Sequence, residues 1–260
     1  ILLPVLFWAV YHYHKDRHLP EPIGYLLLAF LLGVVAAGLS KLMYLGLGPL
    51  GLRFDASALA DSDPVALFAY AMLAIGPIEE LAKLIPFVLV VLRLRVFDEP
   101  MDGIIYASFI GLGYAAIENW QYLDYLTVTE AYARGFASPV VHMLFASVWG
   151  HWIAQARLGH RSVPVAAAIG LGIAACLHGI YDFIVILNPH NALPLAALLL
   201  RVLSAPGQAY IQTVLRLFEK PSNQDVVNAG LDTIAAYFAA ARPEGQADAT
   251  LDELRDEARH

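Results

Sequence analysis

Charge is what this chain has least of. Only 15% of its 260 residues are charged, whereas 59% are hydrophobic and the mean hydropathy is +0.60. Soluble domains carry about 25% charged residues. The shortage of charge therefore excludes an ordinary soluble domain and favours a membrane protein.

Basic residues and cysteine are also scarce. The chain has 16 Lys and Arg against 23 Asp and Glu, a formal net charge of -7, so no nucleic-acid partner is expected. The single cysteine, Cys176, cannot form an internal disulfide. No GxSxG element marks a serine nucleophile, and no internal repeat supports the inverted-repeat design of many transporters.

Long apolar runs fill the chain as far as residue 221. A hydrocarbon core about 30 Å thick requires roughly 20 apolar residues per helix, so the runs predict an all-α, polytopic membrane helix bundle of about seven spans. The predicted spans lie near 1–11, 23–47, 64–92, 101–123, 138–158, 163–187 and 191–219. We expect the first to be a truncated span, and the last, which contains Arg201, either to span or to lie in the interface.

The connections between the spans alternate in charge. By the positive-inside rule, the basic connections face the cytoplasm and the acidic ones face outward. The basic connections carry Lys15 and Arg17, Arg93 and Arg95, and Arg157 and Arg161. Residues 222–260 are polar with helical spacing, so we divide the chain into a membrane domain, 1–221, and a cytoplasmic tail, 222–260.

Charged residues nevertheless occur inside one span, in the stretch GPIEELAKLIP. An ionised carboxylate within a span costs about 2.5 kcal/mol or more, and here Glu79 and Glu80 are adjacent. Lys83 is three to four residues further along, so it can neutralise one of them in a local ion pair but not both. Gly76 and Pro77 predict a kink or opening at this level. We therefore expect a polar cavity inside the membrane.

Three later spans contain possible partners. Glu118 and Asn119 share one span, His142 lies in the next, and His178 and Asp182 are four apart in the one after that. Any one of these polar residues, taken alone, could be a buried side chain that simply hydrogen-bonds to its neighbours. Counting along the predicted helices, however, puts Glu118, His142 and His178 in the outer half of the membrane. We predict that four helices converge there.

Two imidazoles and one carboxylate form the ligand set of a catalytic zinc that keeps one position open for water. The predicted ligands are Glu118, His142 and His178. Glu79 or Glu80 would be the general base, with Glu80 as the first choice, and Asp182 would orient His178 or join the ligands. Such a site suits hydrolysis of an amide bond. The alternatives are an ion or proton-coupled transporter that uses the same residues as a relay, and a binding scaffold with a vestigial site.

In chain order, these residues resemble the motifs of the PrsW intramembrane proteases, distant relatives of the CAAX prenyl endopeptidases. The resemblance rests on EELAK (79–83), DGIIYASFIGLGYAAIEN (102–119), His142 and HGIYD (178–182). The loop YHYHKDRHLPEP is also similar to that family's first cytoplasmic loop. The resemblance implies a bacterial plasma-membrane protease that cuts membrane-anchored proteins, such as anti-sigma factors, on the outer side.

The resemblance also implies supporting roles for Lys83, Asn119 and Asp182. Tyr114 stands where the family's second motif has Phe, so an aromatic is kept. The prenyl endopeptidases resemble glutamate proteases, in which Glu activates water without an obligatory metal and His binds the oxyanion. Zinc and a metal-free glutamate mechanism both remain open at this point.

Overall fold

A computed structural model describes residues 2–15, 20–122, 128–188, 191–192 and 195–196, which belong to one compact unit, Ile1–Ala197. Within these residues the secondary structure is helical, with no β-strand. The predicted span 191–219 falls almost wholly outside the described residues. The tail 222–260 falls outside them entirely, so the division of the chain at residue 221 stays a prediction.

Eight α-helices are present in the described part of the chain. They are α1 (Leu2–Lys15), α2 (Ile23–Leu47), α3 (Ala56–Ser62), α4 (Pro64–Tyr70), α5 (Gly76–Leu89), α6 (Pro100–Tyr122), α7 (Val128–Leu158) and α8 (Val163–Leu187). The predicted ends of the spans 23–47 and 163–187 are confirmed, and those of 101–123 differ by one residue.

The prediction for α7 is wrong at its beginning. The sequence predicted a start near residue 138, whereas the helix begins at Val128. Glu130 and Arg134 made this segment read as a polar loop. Arg134 instead pairs with Glu118 of α6, so its charge is neutralised against a neighbouring helix and does not end α7.

Helix α3 was not predicted, and its presence follows from two aspartates. Asp55 precedes α3 and Asp63 precedes α4, and the side chain of each accepts hydrogen bonds from the backbone N–H groups two and three residues ahead. These bonds satisfy donors that a helix start leaves unpaired. The acidic residues between α2 and α4 therefore begin helices as well as mark a connection.

In the part of the chain that the structure describes, three helical segments are long and apolar enough to cross a membrane, namely Ile23–Leu50, Pro100–Tyr122 and Val163–Leu187. Many large apolar side chains on α2 and α8 are exposed, including Leu31, Val35 and Val165. Exposed apolar surface of this kind is what a helix presents to lipid. The protein is an all-α membrane helix bundle; the number of spans, about seven, stays a prediction.

Helix α6 lies between α2 and α7, and glycines allow the close approach. A Cβ at Gly33 of α2 would collide with the carbonyl oxygen of Ile110. One at Gly111 of α6 would lie 2.5 Å from the carbonyl oxygen of His142. Small residues at helix contacts are the usual means of packing in membranes. The contact at Gly111 brings the backbone of His142 against α6.

The kink predicted at Gly76 and Pro77 takes the form of a wide helical turn. Residues Ala71–Ile75 form a π-helical turn between α4 and α5, in which the N–H of Gly76 bonds to the carbonyl oxygen of Ala71. Because Pro77 has no N–H, one ordinary helical bond is missing at this level. Wide turns of this type occur often at functional sites. Glu79 and Glu80 follow directly.

Candidate active site

Helices α5, α6, α7 and α8 bring the predicted polar residues together. The group contains Glu79, Glu80 and Lys83 from α5, Glu118 from α6, His142 from α7, and His178 and Asp182 from α8. Asn119 is also buried, but its side chain has no hydrogen-bond partner in the described structure. The structure therefore joins every predicted site residue except Asn119 into one network.

Glu80 is enclosed by three donors. Its Oε1 lies 2.7 Å from Lys83 Nζ and 2.7 Å from His178 Nδ1, and its Oε2 accepts a bond of 3.0 Å from Trp149 Nε1. The side chain is fully buried. Trp149 escaped the sequence analysis because an indole in an apolar helix gives no sign of a polar partner. Both oxygens of Glu80 are thus committed to protein donors.

Glu79 has a different environment. Its Oε1 accepts a bond of 3.2 Å from the hydroxyl of Tyr44 on α2, another residue missed from the sequence. Its Oε2 is buried and has no hydrogen-bond partner; the nearest recorded cationic group is His178 Nε2 at 3.6 Å. A bare carboxylate oxygen in a buried position is costly unless a ligand, a water or an ion satisfies it.

The two histidines lie next to each other. Their ring centroids are 5.0 Å apart. His142 Nε2 is 2.7 Å from Glu118 Oε2, and His142 Nδ1 is 2.8 Å from Lys83 Nζ. His178 Nε2 faces Asp182 Oδ2 at 3.3 Å, as expected from their spacing. Each imidazole is therefore oriented by a carboxylate, and Lys83 connects the two histidine clusters.

Glu118 makes a second strong contact that the sequence did not reveal. Its Oε1 lies 2.8 Å from Arg134 Nη2, and the guanidinium carbon of Arg134 is 3.9 Å from the ring centre of Tyr122. The sequence analysis placed Arg134 outside the spans. Only the pairing of α6 with the additional turns of α7 brings it to Glu118.

Carboxylates outnumber fixed cations in this network. Among the described contacts, the network contains four carboxylates and two basic side chains apart from the histidines. The carboxylates are those of Glu79, Glu80, Glu118 and Asp182, and the basic side chains are those of Lys83 and Arg134. Buried carboxylates require pairing, protonation or a metal ion. The imbalance makes the group a suitable place for an added cation or for a proton that carboxylates share.

One subset has the geometry of a metal site. Glu79, His142 and His178 each offer a ligand atom, and these atoms lie within 4.8 Å of one another. This set differs from the predicted one in its carboxylate, because Glu79 takes the place of Glu118. Two imidazoles and one carboxylate are ligands that zinc accepts, and the bare Oε2 of Glu79 is consistent with an absent partner.

Comparison with known proteins gives relatives for most of the chain. It is 29% identical to Protease PrsW of Oceanobacillus iheyensis over 183 residues, which cover 70% of this chain and 80% of the relative. It is 29% identical to Protease PrsW of Bacillus subtilis, over 70% of this chain and 79% of the relative. It is 28% identical to Protease PrsW of Clostridioides difficile, over 72% of this chain and 78% of the relative.

No solved structure matches the chain. A family profile described as PrsW family intramembrane metalloprotease matches residues 21–211. That range includes α2 to α8 and therefore every residue of the polar network. The chain is an integral membrane peptidase and belongs to the PrsW family of intramembrane metalloproteases.

Proposed function

We propose that the protein hydrolyses a peptide bond of a membrane-anchored protein, of the anti-sigma-factor kind, near the outer side of a bacterial plasma membrane. The observation that carries the proposal is the buried cluster of Glu79, His142 and His178 within a membrane helix bundle. Family membership favours proteolysis over the transporter alternative. About seven spans around a polar intramembrane cavity, and a cytoplasmic tail, complete the proposed architecture.

Glu79 is the better candidate for the general base. A base must have an oxygen that can reach the attacking water. Glu80 accepts from Lys83, His178 and Trp149, so it lacks such an oxygen, whereas Glu79 Oε2 has no hydrogen-bond partner. Tyr44 holds the other oxygen of Glu79. The role of Glu80 is then to orient His178 and to neutralise Lys83.

The proposed reaction proceeds in two steps. Glu79 takes a proton from water as the water oxygen bonds to the carbonyl carbon of the substrate, and the carbonyl electron pair moves to its oxygen. Lys83 supplies an N–H donor to that oxygen, and His178 supplies a second in the metal-free form of the mechanism. The carbon–nitrogen bond then breaks, and Glu79 returns the proton to the leaving nitrogen. The carboxyl and amino products account for every atom.

Zinc fits the donors that the site offers. His142 and His178 would hold the ion. The geometry favours Glu79 as the third ligand, whereas the sequence analysis predicted Glu118. When bound, zinc would polarise the substrate carbonyl and lower the pKa of the attacking water to about 7. The metal-free alternative relies on Glu79 as the base and on His178 as a donor to the oxyanion.

The first test is zinc content together with cleavage of a membrane-anchored reporter in proteoliposomes. The samples are the wild type, His142→Ala, His178→Ala and Glu79→Gln, with His160→Ala as an exposed-histidine control. We expect one zinc per chain in the wild type and the control, and loss of zinc and cleavage in both site histidine variants. Glu79→Gln should keep zinc if Glu79 is only the base, and lose it if Glu79 is a ligand.

Three other results would change the proposal. Cleavage by wild-type protein that contains no zinc, even after reconstitution, would remove the metal and leave the glutamate mechanism. Absence of cleavage from every sample, with stable folding, would contradict the endopeptidase proposal. Ion-dependent flux through the same proteoliposomes would instead favour the transporter.

A further inference from the structure

Arg134 is partly buried at the contact between α6 and α7, in the turns of α7 that the sequence did not predict. Its side chain is 23% exposed, and that of Glu118 is 15% exposed. Nη2 of Arg134 bonds to Glu118 Oε1, while the guanidinium packs on the ring of Tyr122. The ring contact fixes the plane of the guanidinium, and a guanidinium with a fixed plane is a precise partner for a carboxylate.

Glu118 in turn bonds to His142. Its second oxygen, Oε2, lies 2.7 Å from His142 Nε2, whereas the hydroxyl of Ser138 is 3.5 Å away. Arg134 is therefore the one strong cationic partner of Glu118 other than the histidine itself among the described contacts. Arg134, Glu118 and His142 form a linear chain of bonds that runs from the α6–α7 contact into the site.

The far side of the imidazole identifies the tautomer. Lys83 Nζ is 2.8 Å from His142 Nδ1, and a lysine ammonium can only donate hydrogen bonds. His142 Nδ1 must therefore accept, which leaves the ring proton on Nε2. That proton points to Glu118 Oε2. The contacts of the two ring nitrogens are therefore consistent with the same tautomer, in which Nε2 carries the proton and Nδ1 carries the lone pair.

We propose that Arg134 is a positioning residue of the peptidase site, which acts through Glu118 to fix the orientation and tautomer of His142. With Arg134 in place, Glu118 keeps one oxygen for the Nε2 proton, and His142 turns its Nδ1 toward Lys83, or toward a metal ion. Without Arg134, the partly buried carboxylate of Glu118 loses its cation and is free to rotate. The inference rests on the proposed function for its kinetic consequences but not for the tautomer.

The experiment uses the full chain in detergent or liposomes. Arg134→Gln removes the cation, Arg134→Lys retains it without the planar fork, and Arg157→Gln removes an exposed cation from the same helix. Loss of a residue that orients a site histidine typically costs about 10–100-fold in activity or metal affinity. We expect Arg134→Gln to lower kcat by about that factor with little change in KM. Arg134→Lys should recover part of the loss, and Arg157→Gln should behave as wild type.

A spectroscopic measurement separates positioning from a purely structural role. Nitrogen-15 labelling of histidine, with assignment by His142→Asn, reports which ring nitrogen of His142 carries the proton. We expect the Nε2–H form in the wild type and its loss or mixing in Arg134→Gln. The Nδ1–H form in the wild type would overturn the inference even if Arg134→Gln failed to fold. Unchanged kcat in a folded Arg134→Gln protein, or a reduced kcat with an unchanged His142 signal, would also overturn it.

If the protein cleaves nothing, the nitrogen-15 signal still tests whether Arg134 controls His142. Failure of the peptidase proposal and failure of this inference therefore give different results.

Discussion

At the scale of single residues, the adjacent glutamates of α5 differ in how many donors they face. Glu79 accepts one hydrogen bond, from Tyr44, and its other oxygen lies 3.6 Å from His178 Nε2, so its replacement removes a reactive group and disturbs fewer close contacts than replacement of Glu80. We expect Glu79→Gln to lower kcat by about 10²–10⁴-fold, the usual contribution of a general base. Thermal unfolding in detergent should stay close to wild type. Retention of cleavage by this variant would contradict the assignment of the base.

Glu80→Gln should have the opposite effect on folding. The substitution leaves Lys83 without its buried carboxylate and places an amide among donors. Breaking one side of a buried pair costs about 3–5 kcal/mol. We expect a clear loss of free energy of unfolding, measured by denaturant titration in detergent. If Glu80→Gln folds as well as Glu79→Gln, the three donors around Glu80 contribute little.

Trp149 allows a test of the same network from another helix. Trp149→Phe keeps an aromatic ring packed on Phe87, whose ring centroid is 5.0 Å away, but removes the N–H that bonds to Glu80. Leaving a buried acceptor without its donor costs about 1–3 kcal/mol. We expect a loss of that size in the free energy of unfolding. Trp120→Phe is the control, because Trp120 is 70% exposed, and it should unfold as wild type.

The site residues could be found from the sequence only where they conflict with their surroundings. Glu79, Glu80 and Glu118 stand out because a carboxylate is costly in an apolar span. Tyr44 and Trp149 did not, because an aromatic residue in a membrane helix needs no explanation until its polar atom is seen to bond to a glutamate. Their roles depend on which helices are neighbours, and periodicity within one helix does not contain that information.

At the scale of helices, the sequence predicted the ends of a helix well where an apolar run ended at a proline or a polar break. It predicted them poorly where a charged residue was taken as the end of the helix. α2 and α8 were predicted to the residue because apolar residues continue to a proline or a polar break at each end. α7 begins ten residues before its predicted start at 138, because a partner on α6 makes Arg134 acceptable inside a helix. A boundary read from charge alone fails when the charge is paired across the bundle.

The contact between α2 and α6 gives an element-scale prediction. A Cβ at Gly33 would collide with the carbonyl oxygen of Ile110 and lie 2.8 Å from the backbone nitrogen of Tyr114, so Gly33→Ala should push the helices apart. α2 also carries Tyr44, and its displacement should weaken the bond to Glu79. We expect lower thermal stability and a lower kcat, measured on the same protein preparation.

Gly38→Ala is the matched control on the same helix. A Cβ at Gly38 has no neighbour within 4 Å, so this variant should be neutral or gain up to about 1 kcal/mol from helix propensity. Equal stability of the two variants would show that the α2–α6 contact tolerates a methyl group, and it would contradict the close approach seen at Gly33.

At the scale of the whole molecule, Glu118 lies toward one end of the bundle. α6 begins at Pro100, just after the connection 90–99, and Glu118 is 18 residues further along, about 27 Å away at 1.5 Å per residue. The connection 48–63 lies at the other end of the α4–α5 helix. If 90–99 is cytoplasmic, as its arginines predict, Glu118 lies toward the outer surface, the side on which we propose that the substrate is cut.

Labelling of single cysteines tests this orientation. In a Cys176→Ala background, Ser57→Cys in α3 and Asp98→Cys before α6 each add one exposed thiol on opposite connections. We expect a membrane-impermeant maleimide to label Ser57→Cys in intact cells and Asp98→Cys only after permeabilisation. The background protein should stay unlabelled, because Cys176 is the only cysteine in the sequence and the background lacks it. The reverse pattern would turn the bundle over and place Glu118 and His178 nearer the cytoplasm. A substrate would then have to be cut on the inner side, which would contradict the proposed direction of proteolysis but leave the chemistry of the site unchanged.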